Sequence, residues 1–234
     1  MKTNKFIVGL FFAAFWFSAC HKDQANPSSG VAICSGPASV TDVDGNAYDV
    51  VSIGSQCWTK QNLKTKHFRN GTAIPTGLAD SVWAIATTAA YATYGGDSTV
   101  VDTFGILYNY YAVADPAGLC PTGFHVPTDT DWVVLSTYLG GKLVAGGKLK
   151  ESGTNHWMLP NYVATNSSGF TALPGGYRAH GGSYNDKYAK GYFWSSSLSD
   201  ADSAIYRTLN HENGGLDSPV TYKKAGFSVR CVRD

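Results

Sequence analysis

The chain predicts an α+β domain with a small irregular sheet and long loops, and three features of its sequence carry that prediction. Glycine is abundant (26 residues) and Tyr, Trp and Phe make up 13% of the chain. That composition suits many turns and a ring-rich core. Helical periodicity is strong in one place only, just after Pro127. The rest alternates short β-branched or aromatic runs with glycine turns, and no fixed-period repeat emerges.

The elements follow in order. Residues 41–53 read as a hairpin: Asp44-Gly45-Asn46 supplies the left-handed turn, with Tyr48, Val50 and Ile53 on the flanking strands. Residues 57–63 continue as a strand ending near Asn62, and residues 80–91 are expected as a short helix starting at Asp80 or Ser81. A polar loop (94–103) then leads into the aromatic, buried segment 105–113. The clearest helix has Thr128 as N-cap, Asp131 three positions on, and Trp132, Leu135 and Leu139 along one face. Gly140-Gly141 stops it. Short strands are expected at 169–173, 175–178, 191–196, 204–209 and 226–232.

The first residues predict an address. Lys2 and Lys5 precede an apolar run, residues 6–17, that is too short to span a bilayer but has the length of a signal-peptide core. Phe17-Ser18-Ala19-Cys20 resembles a bacterial lipobox, whose cysteine becomes the lipidated N-terminus; the alternative is an ordinary secretory signal with a free thiol. The expected organisation is a signal peptide at 1–19, lipidated Cys20 with a polar tether through residue 33, and one domain at 34–234. Lys22 and Asp23 loosely resemble the surface-export signals of Bacteroidetes lipoproteins, with the periplasmic face of the outer membrane as the competing destination. The expected location is therefore the cell envelope of a Gram-negative-type bacterium, with the membrane reached through a lipid anchor.

Without residues 1–19 the 18 Lys and Arg fall by two to 16, against 17 Asp and Glu. A near-neutral chain with no basic run lacks the footprint for nucleic acid. Besides Cys20 there are Cys34, Cys57, Cys120 and Cys231. An even count in an exported chain argues for two bridges, with three pairings open. Cys34–Cys57 would staple the start of the domain, and Cys120–Cys231 would tie its middle to its last strand. With no CxxC pair and no histidine cluster, neither a zinc site nor any other metal or cofactor is expected.

Several segments, in order, carry a family resemblance: IGSQCWTKQNL (53–63), FGILYNYYAV (104–113), CPTGFHVPTDTDW (120–132), GGKLKESGTNHW (146–157), NSSGFTALPGGYR (166–178), GYFWSSS (191–197) and GFSVRCVRD (226–234). From about residue 40 onward the chain resembles the Fibrobacter succinogenes major paralogous domain, found in exported and lipoprotein-like proteins of Bacteroidetes and Fibrobacteres. That family is similar to C-type-lectin-like folds. The resemblance implies a small twisted antiparallel sheet, two short helices, adjacent N- and C-terminal strands, and a loop-rich half from about 140 to 220. It implies almost no biochemistry, because the fold hosts unrelated functions.

The motifs narrow the function further. Asp42, Asp44, Asn46 and Asp49 place oxygens at alternate positions, but Ala47 and Ile53 stand where an EF-hand loop needs Gly and Glu, so a hairpin turn is expected. The Glu-Pro-Asn, Gln-Pro-Asp and Trp-Asn-Asp triplets of calcium-dependent lectins are absent. HVPTDTDW resembles a segment of formylglycine-generating enzymes, yet residues 181–188 hold no cysteine where those enzymes carry redox thiols. Of six histidines, His125 is expected as a packed strand residue; only His156 and His211 have polar company. An enzyme reading would need one of them against a carboxylate in a concave pocket.

Trp58, Trp83, Trp132 and Trp194 are expected in the core, whereas Trp157, Tyr184 and Tyr188 lie among glycine, amides and charge and are expected at the surface. The candidate ligand-binding residues are His156, Trp157, Tyr184, Asn185, Asp186, Tyr188, His211 and Glu212. For Asn185-Asp186 and Glu212-Asn213 the alternative is exposed turn chemistry. The expected function is a non-catalytic binding or adhesion module for a glycan or a surface protein. A structural envelope component is the rival.

Overall fold

The computed structural model describes Met1, Lys2, Cys34 and residues 36–234. The lipobox, Cys20 and the tether lie outside the described residues. The compact unit is Ala32–Asp234, and no helix among the described residues is long and apolar enough to cross a membrane.

The chain opens with β1 (Ser39–Thr41), β2 (Ala47–Ile53) and β3 (Gln56–Thr59). The first two form the expected hairpin, pairing Val40 with Tyr48. Asp42 builds its turn: one carboxylate oxygen accepts from the backbone N–H of Asp44 and Asn46, and the other from the Tyr48 hydroxyl at 2.6 Å. Next come α1 (Asp80–Ile85), β4 (Tyr91–Ala92), α2 (Val101–Phe104), β5 (Leu107–Tyr108) and α3 (Tyr110–Val113). The helix expected over 80–91 stops at residue 85. The Asn109 side chain takes the N–H of Ala90 and the carbonyl of Thr88, which draws the following residues into pairing with β5.

After β6 (Phe124–His125) comes α4 (Asp129–Tyr138). Its Thr128–Asp131 capping box is complete, and Trp132, Leu135 and Leu139 are buried. Gly140 and Gly141 adopt φ near 99° and 97°, which ends the helix. A second helix follows at once, α5 (Lys142–Leu149), where the sequence suggested none. Its Gly146 and Gly147 look like helix breakers, but they serve close approach. A Cβ at Gly146 would collide with the Gly215 carbonyl, and one at Gly147 would lie 2.6 Å from that of Val163.

The remaining strands are β7 (Tyr177–Arg178), β8 (Tyr184–Asn185), β9 (Lys190–Leu198), β10 (Ser203–Asn210), β11 (Val220–Tyr222) and β12 (Val232–Arg233). A strand expected at 169–173 is an irregular segment instead. Asn166 holds Thr171 at a positive φ, and Arg230 takes the carbonyls of Phe170 and Thr171. Among the described residues there are five short α-helical segments, where the family resemblance implied two.

The main sheet runs β1-β2-β3-β12-β6, antiparallel at every pairing, so the last strand, β12, lies beside β3 of the N-terminal strands. A second antiparallel sheet, β11-β10-β9, packs in the loop-rich half. The final segment stitches the sheets together, because Phe227 bridges to Tyr108, Ser228 to Phe193 and Val232 to Trp58. Trp58 and Trp132 meet at 4.8 Å in one core, with Phe170 edge-on and Phe193 tilted against Trp132; Trp194 and Phe227 meet at 4.5 Å in another. Cys34 bonds to Cys57 and Cys120 to Cys231, with Cα separations of 5.7 and 5.9 Å.

Candidate functional site

A cleft of about 690 Å³ opens between the 76–102 segment and the β7–β8 hairpin. That volume lies within the range of small-molecule sites. The hairpin pairs Arg178 with Tyr184 and is anchored from behind, where Arg178 and Gly226 exchange both backbone hydrogen bonds. The opposite wall is the tight turn Tyr94–Gly96, whose Gly95 and Gly96 lie at positive φ, followed by Val101 and Asp102 at the start of α2.

Arg178 organises the cleft. Its guanidinium lies 4.3 Å from the Trp83 ring and 5.2 Å from that of Tyr184. Nε donates to the Gly182 carbonyl, and Nη2 donates to the Leu78 carbonyl and the Asp80 carboxylate, both at 2.8 Å. Burial raises the Tyr184 phenol above its ordinary pKa despite the neighbouring cation. Across the cleft, the Lys64 ammonium donates to Asp102 at 2.7 Å and holds that carboxyl below its usual value. Lys66 completes the polar lining.

An aromatic ridge continues from the cleft. Tyr184 packs on Tyr94 at 5.3 Å, and Lys187 places its ammonium 4.9–5.4 Å from the rings of Tyr188, Tyr94 and Phe104. Phe104 meets His156 edge-on at 5.7 Å, and His156 Nδ1 lies 2.9 Å from both carboxylate oxygens of Glu151. The structure therefore brings Tyr184, Tyr188 and His156 onto one ridge. His156 has the carboxylate partner that an enzyme reading would require, but neither it nor Glu151 lines the cleft.

The other sequence candidates are placed differently. Trp157 is not a surface residue. It is 1% exposed, donates to the Ala172 carbonyl at 3.0 Å and packs in the α4–α5 core. Its polar sequence neighbours face outward while the indole turns in, and Lys150 sits 5.5 Å over its ring. Asn185 donates weakly to Ser183, and Asp186 accepts from the Tyr192 hydroxyl and Lys190. His211 pairs with the Leu159 carbonyl, and Glu212 sits in an Asx turn capped by Asn210. These four shape loops. His125 is a strand residue, yet its ring is partly exposed and lies between Asp131 and Asp234.

Sequence reasoning missed Arg178, Asp80, Tyr94, Phe104 and Lys187, because their partners are distant in the chain. It also missed two buried cations. Lys150 Nζ donates to the carbonyls of Tyr162, Asn210 and Asn213 at 2.8–3.0 Å, and burial lowers its pKa to about 8. Arg230 donates to Asn62 and to the carbonyls of Thr59, Phe170 and Thr171, and burial lowers its pKa to about 9. The available signals were a lysine in a glycine-rich stretch for Lys150 and a cation inside an apolar run for Arg230. Among the described residues no group of three or more His, Cys, Asp or Glu side chains is placed to hold a metal.

The family described as the Fibrobacter succinogenes major domain matches residues 51–233. No curated protein and no solved structure matches the chain.

Proposed function

We propose, from the premise that the chain belongs to the Fibrobacter succinogenes major domain family, that it is a non-catalytic glycan-binding module held at the cell envelope by a lipid on Cys20. One observation carries the binding reading: the 690 Å³ cleft sets the half-buried Tyr184 beside Arg178, Asp80, Lys66 and Asp102. An aromatic face stacks on the apolar face of a sugar ring, while fixed charged donors and acceptors meet its hydroxyls. The hairpin behind the cleft is pinned by backbone bonds to the C-terminal segment, so the site is organised before a ligand arrives.

A glycan array probed with the mature chain tests this reading. Binding that is lost in Tyr184→Ala, with an unchanged melting curve, is the expected result; a Tyr184→Ala protein that binds the same glycans as wild type would overturn it. The anchor is tested separately, since Cys20→Ser should move the protein from the membrane to the soluble fraction.

A second reading, assembly with another envelope protein, is favoured by one surface. Leu143 (79% exposed), Val144, Tyr162 and Val163 line an apolar groove of about 460 Å³, beside Leu159 (76% exposed). Exposed apolar patches of this kind mark interaction sites. Concentration-dependent oligomers, with the 158–163 loop protected in hydrogen exchange, would favour that reading over the first.

A further inference from the structure

Arg178 has one donor edge that the fold leaves unused. Its side chain is only 4% exposed, although it lines the cleft. Trp83 and Tyr184 lie against the guanidinium, and Nε and Nη2 are committed to Gly182, Leu78 and Asp80. Nη1 has no hydrogen-bond partner among the described residues, yet it is not among the side-chain atoms that are both buried and unpartnered. Nη1 is therefore not fully buried, and Arg178 is a lining residue of the cleft.

Two cations, Lys66 and Arg178, line the cleft with two carboxylates, Asp80 and Asp102, and both carboxylates already have a cation: Asp80 pairs with Arg178, and Asp102 with Lys64 from outside the lining. Lys64 is hydrogen-bonded to Asp102 and Asp80 to Arg178, whereas the exposed Lys66, whose charge also acts on Asp102, makes no ion pair among the described residues and is the second cation open to a ligand. A guanidinium held between two rings, with one N–H edge left over in a cleft that Lys66 also lines, fits a single carboxylate. The Tyr184 ring alongside supplies the stacking surface for the sugar that bears it.

We infer that the cleft is selective for acidic sugars, and that it seats the carboxylate of a uronic acid on Arg178 Nη1 with Lys66 alongside. This inference rests on the glycan-binding reading above and deepens it to a ligand class. It makes Lys66 the residue that discriminates acid from neutral sugar, whereas Tyr184 serves both.

The test compares a uronic-acid oligosaccharide with its methyl ester, which keeps the sugar and removes the charge. Titration calorimetry on the mature chain should show the acid bound about tenfold more tightly than the ester, with the difference shrinking as salt rises. Lys66→Glu should bring the acid down to the ester's affinity without changing the melting curve. Arg178→Lys should act in the same direction, but Lys66→Glu decides the matter because Arg178 also supports the fold. Acid and ester bound equally, both dependent on Tyr184, would sink the acid preference and leave the glycan reading standing. No binding of either would remove both. An acidic peptide bound with the same Lys66 dependence, in place of the oligosaccharide, would overturn the sugar assignment.

Discussion

The sheet half and the loop half of this domain satisfy their backbones in different ways. In the first, the carbonyls of β1, β2, β3, β12 and β6 go into antiparallel ladders, and both disulfides end in or beside that sheet. In the second, between about 150 and 222, long stretches have no ladder. There Lys150 gathers the carbonyls of Tyr162, Asn210 and Asn213, and Arg230 reaches across to those of Phe170 and Thr171. Among the described residues, all six non-glycine residues with positive φ lie between Asn161 and Tyr188. Irregular backbone leaves more buried carbonyls than it has N–H groups to meet them, and a cation with several donors is a compact solution. Such a cation needs no carboxylate partner, because the carbonyl dipoles replace its water.

The sharpest way to break this contrast is to remove the brace of the sheet half. The double variant Cys120→Ala, Cys231→Ala opens a loop of 111 residues and should cost about 4 kcal/mol of stability in urea titration. A loss under about 1 kcal/mol would show that the ladders suffice alone. Trp157→Ala, in the α4–α5 core, should cost about 3–4 kcal/mol, and a near-neutral result would return Trp157 to the surface.

Lys150→Met takes the ammonium donor away from three carbonyls and should cost about 3 kcal/mol at pH 7, comparable to losing a core side chain. It also has a pH signature. Burial holds the Lys150 amine at about 8, below its unfolded value of roughly 10.4. Below pH 8 both states carry the charge and its burial opposes folding in full. Between about 8 and 10 the unfolded chain keeps a proton that the folded chain has released, so stability rises with pH. Above roughly 10 the trend reverses, because Tyr48, Tyr108 and Tyr192 are held protonated in the fold while their unfolded counterparts ionise. Urea titrations across this range should show the wild-type rise begin near pH 8 and Lys150→Met delay it to about 9, where the buried Arg230 begins to release its proton; a flat wild-type profile would mean that the ammonium is not buried as described. Glu212→Ala, in an exposed turn, should change stability by less than about 0.5 kcal/mol, which separates loop residues that hold carbonyls from those that merely turn.

Much of the sheet half was legible in the sequence. Asp44-Gly45-Asn46 marked a hairpin, and Thr128 with Asp131 marked a helix start, because each signal involves residues within a few positions of one another. The helix expected over 80–91 failed for the opposite reason: Asn109, some 20 residues on, claims the backbone at Thr88 and Ala90. α5 was hidden because Gly146 and Gly147 carry the signature of a helix breaker, while their purpose is to admit the loops at 163 and 215. Of the candidate site, Tyr184, Tyr188 and His156 could be named from their polar surroundings, but not the ridge that joins them.

By itself the sequence determined the α+β class, the start of α4, the even set of cysteines and the family, since these depend on local periodicity, counting and the order of short motifs. The tertiary structure alone decided that Trp157 turns inward, and that Arg178 meets Asp80 across 98 residues of chain to form the cleft. The physical reason is that side-chain spacing reports which residues share a face, whereas burial and charge pairing depend on which remote segment packs against that face.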